Sequence, residues 1–174
     1  MKTNARKNMK LNIISLVKKD HKPLKECIAV LKNAHATAKS KKKVLAQFLE
    51  SLSRHAFAEE RALYSAMELK GGMDIDVIGA LQEHKIAHTL AKELEEIGTH
   101  GAWSDELSAK SRILAELVGN HIREEERKFL PLVKKHSTDE ELGRMAERYN
   151  EFYAEKFGTD EISAYQGMTQ HNIL

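Results

Sequence analysis

The sequence predicts an all-α fold, an antiparallel up-down-up-down four-helix bundle with an additional short C-terminal helix. Its composition is typical of helices, with 41% hydrophobic and 31% charged residues but only 6% aromatic residues and two prolines. Apolar residues recur at alternating steps of three and four, which is the period of an amphipathic helix. Short turns between the long segments favour antiparallel packing of neighbouring helices.

Five segments show this helical period, at about residues 14–35, 42–69, 76–97, 104–132 and 138–157. Pro23 interrupts the first segment, so that the helix either kinks there or begins a new turn after Asp20 as an N-cap. Gly71 ends the second segment, and Thr138 with Glu141 opens the fifth with a capping-box pattern. The predicted parts of the chain are a flexible N-terminal segment (1–11), the bundle (12–136), an accessory helix (137–157) and a tail (158–174).

Composition and charge argue against several classes of protein. No stretch approaches the roughly 18 apolar residues of a membrane span, and no apolar region of a secretory signal follows the N-terminus. The single cysteine, Cys27, fits the reducing cytoplasm. The net charge of +2 is weak evidence for a polyanionic partner. The lysine run at 39–43 falls at an expected interhelix turn, so we expect it to be solvated and predict no nucleic-acid partner.

Seven ionisable residues lie on helix stripes that should be apolar. They are His21, His55, Glu59, His84, His88, His121 and Glu125. Burying such side chains is costly unless they pair or bind a metal, so seven of them in one core indicate a common cause. At a rise of about 1.5 Å per residue, their heights agree to within about one turn in an antiparallel bundle. The sequence therefore predicts a metal site in one layer of the core, with His35, roughly 21 Å away, at a helix end.

Spacing within the second and fourth helices separates the candidate acids. A residue four positions after a histidine is rotated by about 40°, whereas one five positions after it is about 140° away. Glu59 and Glu125 should therefore face the core, and Glu60 and Glu126 should face a neighbouring helix or water. A distorted turn would bring Glu126 inward, which keeps it as an alternative metal ligand. Tyr64, about two and a half turns past His55, either approaches the core or serves in packing, and we favour packing.

The ligand types indicate which metals fit. Seven ligands exceed the four of a tetrahedral zinc ion, and one cysteine supplies no thiolate cluster. Mixed imidazole and carboxylate ligation suits iron, with manganese and zinc as alternatives. Five histidines and two bridging carboxylates would hold two metal ions side by side. The Glu-x-x-His spacing of ferritin-like di-iron bundles does not occur in this sequence.

Four motifs, taken in order, carry a resemblance to a known family. DH (20–21), HAFAEE (55–60), EHKIAH (83–88) and HIREEERKFLP (121–131) together resemble hemerythrin-like, HHE cation-binding domains over about residues 12–135. The resemblance implies a non-heme centre of two iron ions with oxo or hydroxo and carboxylate bridges, which binds dioxygen at an open position. Oxygen-carrying hemerythrins have an aspartate five residues after the last histidine, whereas this chain has Glu125 at four and Glu126 at five. Bacterial relatives with glutamate at four are similar to this pattern.

Besides a structural bundle or a simple metal buffer, in which the site is inert, two classes of function fit such a centre. The first is a protein that reversibly binds dioxygen or nitric oxide for storage, delivery or sensing. The alternative is a di-iron enzyme that consumes peroxide, oxygen or nitric oxide, or an iron donor for repair of damaged metal centres. We identify no dedicated acid beyond the ligands, which favours the binding protein over the enzyme. A sensor without an output domain would signal through a protein partner or self-association, and the C-terminal helix is the expected surface.

Overall fold

The computed structural model describes residues 11–71, 74–98 and 101–154. Within these ranges the regular elements are all helical: α1 (Ile13–Lys32), α2 (Ala38–Glu59), α3 (Ser65–Lys70), α4 (Asp74–Ile97), α5 (Asp105–Glu124), α6 (Leu130–His136) and α7 (Asp139–Ala154). A five-residue π-helical turn, Glu60–Tyr64, joins α2 to α3, and a second, Glu125–Phe129, joins α5 to α6. The described residues thus form four long helices and a shorter C-terminal one, which confirms the predicted fold class.

Local sequence signals set several helix ends as predicted. Gly71 follows α3 with a φ of 69°, a left-handed conformation that favours glycine. The Ser104 hydroxyl accepts a hydrogen bond of 3.1 Å from the backbone N–H of Leu107 and caps α5. Before α7, Thr138 and Glu141 form the reciprocal capping box, with Glu141 Oε2 accepting from the Thr138 backbone N–H at 2.8 Å.

Two local features differ from the sequence interpretation. The second long helix begins at Ala38, capped by the Thr37 hydroxyl, so the lysine run at 39–43 lies in its first turns and not in an interhelix turn. The first helix continues through Pro23 without a new N-cap at Asp20. Asp20 instead accepts a hydrogen bond from a tyrosine of α7.

The helices pack so that α7 covers one side of the bundle. α1 packs against α2, α5 and α7, and α4 packs against α5 and the α2–α3 helix. α7 lies on α1, α2 and the first π turn, with Leu142, Met145 and Tyr149 buried. In the ranges that the structure describes, no helix is long and apolar enough to cross a membrane.

In the part of the chain that the structure describes, the buried apolar residues form two clusters, one toward each end of the bundle. Along α1 the buried residues change from the first cluster (Ile13, Val17) to the second (Leu24, Leu31), and His21 lies between them. The other long helices change cluster at corresponding heights, beside their own buried histidines. A layer of ionisable residues therefore separates two apolar regions that shield it from water.

Candidate metal centre

Six of the seven predicted ligands meet in this layer. They form two groups, one of His21, His55, Glu59 and Glu125 and one of Glu59, His84 and His121. Within each group the potential ligand atoms all lie within 4.8 Å of one another. None of the six residues is more than 7% exposed. Glu59 belongs to both groups, so its carboxylate is placed to serve two metal positions.

The remaining two candidates lie outside these groups. His88 is half-buried one turn beyond His84 and lines a cavity that also reaches His84 and His121. Its role as a ligand stays a prediction. Glu126 faces α1, where its Oε1 lies 2.8 Å from His21 Nδ1 and 2.7 Å from Lys25 Nζ. Glu126 thus contacts Nδ1 of His21, the outer nitrogen, which faces away from the ligand group. Glu125 lies beside Nε2, the inner nitrogen, which faces into it.

Most of the potential ligand atoms that face the centre are buried without a hydrogen bond from the protein. Among the described residues, His21 Nε2, His55 Nε2, both Glu59 oxygens and Glu125 Oε2 have no hydrogen-bond partner. Glu59 Oε2 lies 3.2 Å from His55 Nε2, and Glu125 Oε2 lies 3.2 Å from His21 Nε2. Because unsatisfied buried polar atoms are costly, this concentration of them in one layer fits a bound cation.

The outer nitrogen of each grouped histidine has a partner. The pairs are His21–Glu126 (2.8 Å), His55–Tyr149 (2.9 Å), His84–Glu60 (2.8 Å) and His121–Glu83 (2.7 Å), each measured at the imidazole Nδ1. In three pairs the partner is a carboxylate, which as an anion only accepts, so Nδ1 carries the proton and Nε2 keeps its lone pair. This is the arrangement by which proteins orient histidine ligands toward a metal.

A close contact between two inner nitrogens supports the same conclusion. His84 Nε2 lies 3.1 Å from His121 Nε2. Since Glu60 and Glu83 each accept a hydrogen bond from the Nδ1–H on the opposite side of these rings, both Nε2 atoms present lone pairs to one another. Two facing lone pairs repel, and a cation bound by both nitrogens would remove that repulsion.

Burial and mutual proximity shift the pKa values of the central groups. Burial lowers the pKa of His55 well below 6.5, and the nearby His21 lowers it further. Burial and the neighbouring Glu125 raise the pKa of Glu59 well above 4.5. Burial also opposes ionisation of Glu125, and the pKa of Glu125 falls to about 2 only when the adjacent His21 and His121 carry positive charge. A bound cation would supply that positive charge, while the histidines bind it as neutral imidazoles and the carboxyl groups as carboxylates.

Tyr64 contributes a hydroxyl to the centre, a role that the sequence analysis ranked below packing. At about 100° per residue, a regular α-helix would turn Tyr64 about 180° away from His55. The π turn that ends at Tyr64 changes this rotation, and the side chain is buried in the core. Its hydroxyl donates to Glu125 Oε1 at 3.1 Å and lies 3.5 Å from His121 Nε2. No sequence pattern marks this π turn.

Comparison with protein families matches residues 12–133 to the hemerythrin HHE cation binding domain. The chain belongs to this family. Neither the curated proteins nor the solved structures gave a match. The hemerythrin HHE match includes all six grouped residues and ends within α6, so α7 lies beyond it. Family membership and the buried His/Glu groups together establish a site compatible with metal binding.

Proposed function

We propose that this hemerythrin HHE protein is a non-heme di-iron protein that reversibly binds dioxygen or nitric oxide for storage, delivery or sensing. The observation that carries the proposal is the pair of buried ligand groups that share Glu59. One ion would be held by His21, His55 and Glu125, the other by His84 and His121, with Glu59 common to both. Imidazole and carboxylate donors without thiolates suit iron, while manganese and zinc are the metals to compare with it.

The chain supplies the surroundings that reversible binding needs. When bound, two iron ions supply coordination positions for small ligands and the electrons that hold dioxygen. The two apolar clusters restrict water, and the outer hydrogen bonds of the histidines hold the rings in place. A cavity between α2, α4 and α5, lined by apolar residues such as Leu52 and Val118, leads to His84 and His121. This cavity is the proposed route by which a diatomic ligand enters.

One observation favours the enzymatic alternative. The Tyr64 hydroxyl is a buried hydrogen-bond donor 3.1 Å from Glu125, inside the centre. An enzyme that consumes peroxide, oxygen or nitric oxide needs such a donor beside its ligands. Under this alternative, Tyr64→Phe would keep the metal but slow turnover, whereas a reversible carrier would show no turnover in either protein.

Absorption spectroscopy of the reduced, iron-loaded protein distinguishes these functions. We expect the spectrum to change on addition of dioxygen or nitric oxide and to return when the gas is removed under argon. Glu59→Gln, prepared in the same way, should show no such change. An irreversible change accompanied by peroxide consumption would replace the carrier proposal with the enzymatic one.

The proposed location is the cytoplasm. Its reducing conditions would maintain the free thiol of Cys27, which forms no disulfide.

A further inference from the structure

Tyr149 connects the C-terminal helix α7 to the candidate metal centre. Its hydroxyl oxygen lies 2.9 Å from His55 Nδ1 and 2.9 Å from Asp20 Oδ2. Tyr149 is 1% exposed and His55 is 2% exposed, so water has little access to this contact. The family match ends before α7, and Tyr149 therefore reaches the centre from outside the matched domain.

The number of protons in this chain of contacts determines the form of His55. A phenol hydroxyl has one proton to share in a hydrogen bond. Here the Tyr149 hydroxyl donates that hydrogen bond to the Asp20 carboxylate, which as an anion only accepts. The phenol oxygen is then left as an acceptor toward His55. The short contact at Nδ1 is a hydrogen bond only if Nδ1 carries the imidazole proton. Nε2 of His55 consequently presents its lone pair to Glu59 and the first ligand group.

We infer that Tyr149, oriented by Asp20, is a positioning residue that holds His55 in its Nδ1-protonated tautomer with Nε2 directed into the first ligand group. The accessory helix α7 is thereby a component of the centre and not only a cover for the bundle. This inference rests on the proposed function in one respect, that His55 is a metal ligand. The tautomer itself is a property of the protein without metal.

Tyr153 provides a matched control. It lies one turn further along α7, and its ring stacks on that of Tyr149 with centroids 5.9 Å apart. Tyr149→Phe and Tyr153→Phe each remove one hydroxyl from the same helix and keep the aromatic packing. Only the first removes the hydrogen bond to His55.

The first experiment is nitrogen NMR of the histidine side chains in the metal-free protein, with His55 assigned by the loss of its signals in His55→Gln. We expect wild type and Tyr153→Phe to show a protonated Nδ1 and an unprotonated Nε2. Tyr149→Phe should shift His55 toward the Nε2-protonated tautomer. Asp20→Ala should do so as well, because the Tyr149 proton becomes free to be donated to Nδ1. An Nε2-protonated His55 in wild type, or an unchanged tautomer in both Tyr149→Phe and Asp20→Ala, would overturn the inference.

The second experiment measures ferrous iron affinity by anaerobic competition with a chelator, with circular dichroism as the check on folding. Loss of an outer partner of a histidine ligand typically lowers metal affinity about 10–100-fold. We expect a loss of that size in Tyr149→Phe and wild-type affinity in Tyr153→Phe. Equal affinities in folded Tyr149→Phe and wild type would contradict the positioning role. Absence of iron binding in wild type would contradict the proposed function, while the tautomer experiment would still decide the role of Tyr149.

Discussion

Glu59 is the residue on which both ligand groups depend, because its carboxylate is the member that they share. Glu59→Gln keeps the shape of the side chain but removes the charge that would bridge two cations. Wild type is expected to hold one iron ion in each of the two ligand groups. In Glu59→Gln we expect the total iron content to fall below one ion per chain. The metal-free variant should melt at or above the wild-type temperature, since the substitution relieves the repulsion between Glu59 and Glu125. Metal analysis and thermal unfolding of the metal-free proteins measure both effects, and a full iron content in Glu59→Gln would contradict the shared role.

Glu125 and Glu126 present a second test at single residues. Glu125 is buried beside His21 Nε2, whereas Glu126 is partly exposed and contacts His21 Nδ1 and Lys25. Glu125→Gln should therefore lose bound iron, while Glu126→Gln should keep both ions with affinity lowered about 10–100-fold, as for other outer partners. Iron titration of the two variants makes the comparison. Loss of iron only in Glu126→Gln would identify Glu126 as the ligand.

Periodicity predicted the inner residues but few of the outer ones. His21, His55 and Glu59 are recognisable because an ionisable residue on an apolar stripe is unusual within a single helix. Tyr149 and Glu83 become partners of histidines only through the relative rotation of different helices. That rotation is a property of packing, which the pattern of one helix does not contain.

The π turns are the helical elements that shape the centre. The first follows Glu59 directly, and the second begins at Glu125. π turns are rare and often occur at functional sites. Pro131 lies just past the second π turn, and α6 continues beyond it to His136. The α-helical hydrogen-bond ladder is already interrupted there, so the missing N–H of proline costs less.

Alanine substitution of two glycines at different places in the helices should change the free energy of unfolding in opposite directions. Gly71 ends α3 with a φ of 69°, whereas Gly79 lies within α4, where an added methyl group would meet no neighbouring helix within 4 Å. Gly71→Ala should lower the free energy of unfolding by about 1 kcal/mol because alanine is strained at positive φ. Gly79→Ala should raise it by about 0.5–1 kcal/mol because alanine favours the helix. Denaturant unfolding measures both, and effects of the same sign would contradict the assigned helix end.

Helix ends were predicted where a side-chain cap marked them, whereas the start of α2 was predicted too far along the chain. Thr138 forms the capping box that its sequence pattern indicates, and Ser104 caps α5 at the predicted start of the fourth segment. The lysine run at 39–43 was assigned to an interhelix turn because the second periodic segment was expected to begin at about residue 42. α2 begins before this run nevertheless, because Thr37 caps it and its later residues Leu45 and Phe48 are fully buried.

At the scale of the whole molecule, the polar layer couples metal binding to stability. The metal-free core buries two carboxylates beside four imidazoles, whereas the loaded core would neutralise them. A ligand that binds only the folded state raises the free energy of unfolding by about 2.7 kcal/mol when its free concentration is 100 times its Kd. Iron loading should therefore raise the melting temperature by several degrees, and a chelator should reverse the rise. Calorimetry with and without iron measures it, and Glu59→Gln is the control in which the rise should disappear.

The packing of the accessory helix α7 limits which of its faces could bind a protein partner. The apolar row of α7, including Leu142 and Met145, is buried against the bundle. Association of a protein partner or a second copy through α7 stays a prediction, and such a contact would use the outer, polar face of that helix. Residues 1–10 and 155–174, which hold most of the predicted N-terminal segment and the whole predicted tail, lie outside the described residues.

Metal content per chain, measured on protein purified from iron-supplemented cells, tests the central claim most directly. The two ligand groups predict two iron ions per chain in wild type. If zinc or manganese were found at the same stoichiometry, the dinuclear centre would stand, but iron would be excluded as its metal. No bound metal, with failed anaerobic reconstitution, would contradict the account and leave the buried ligand atoms without a cause.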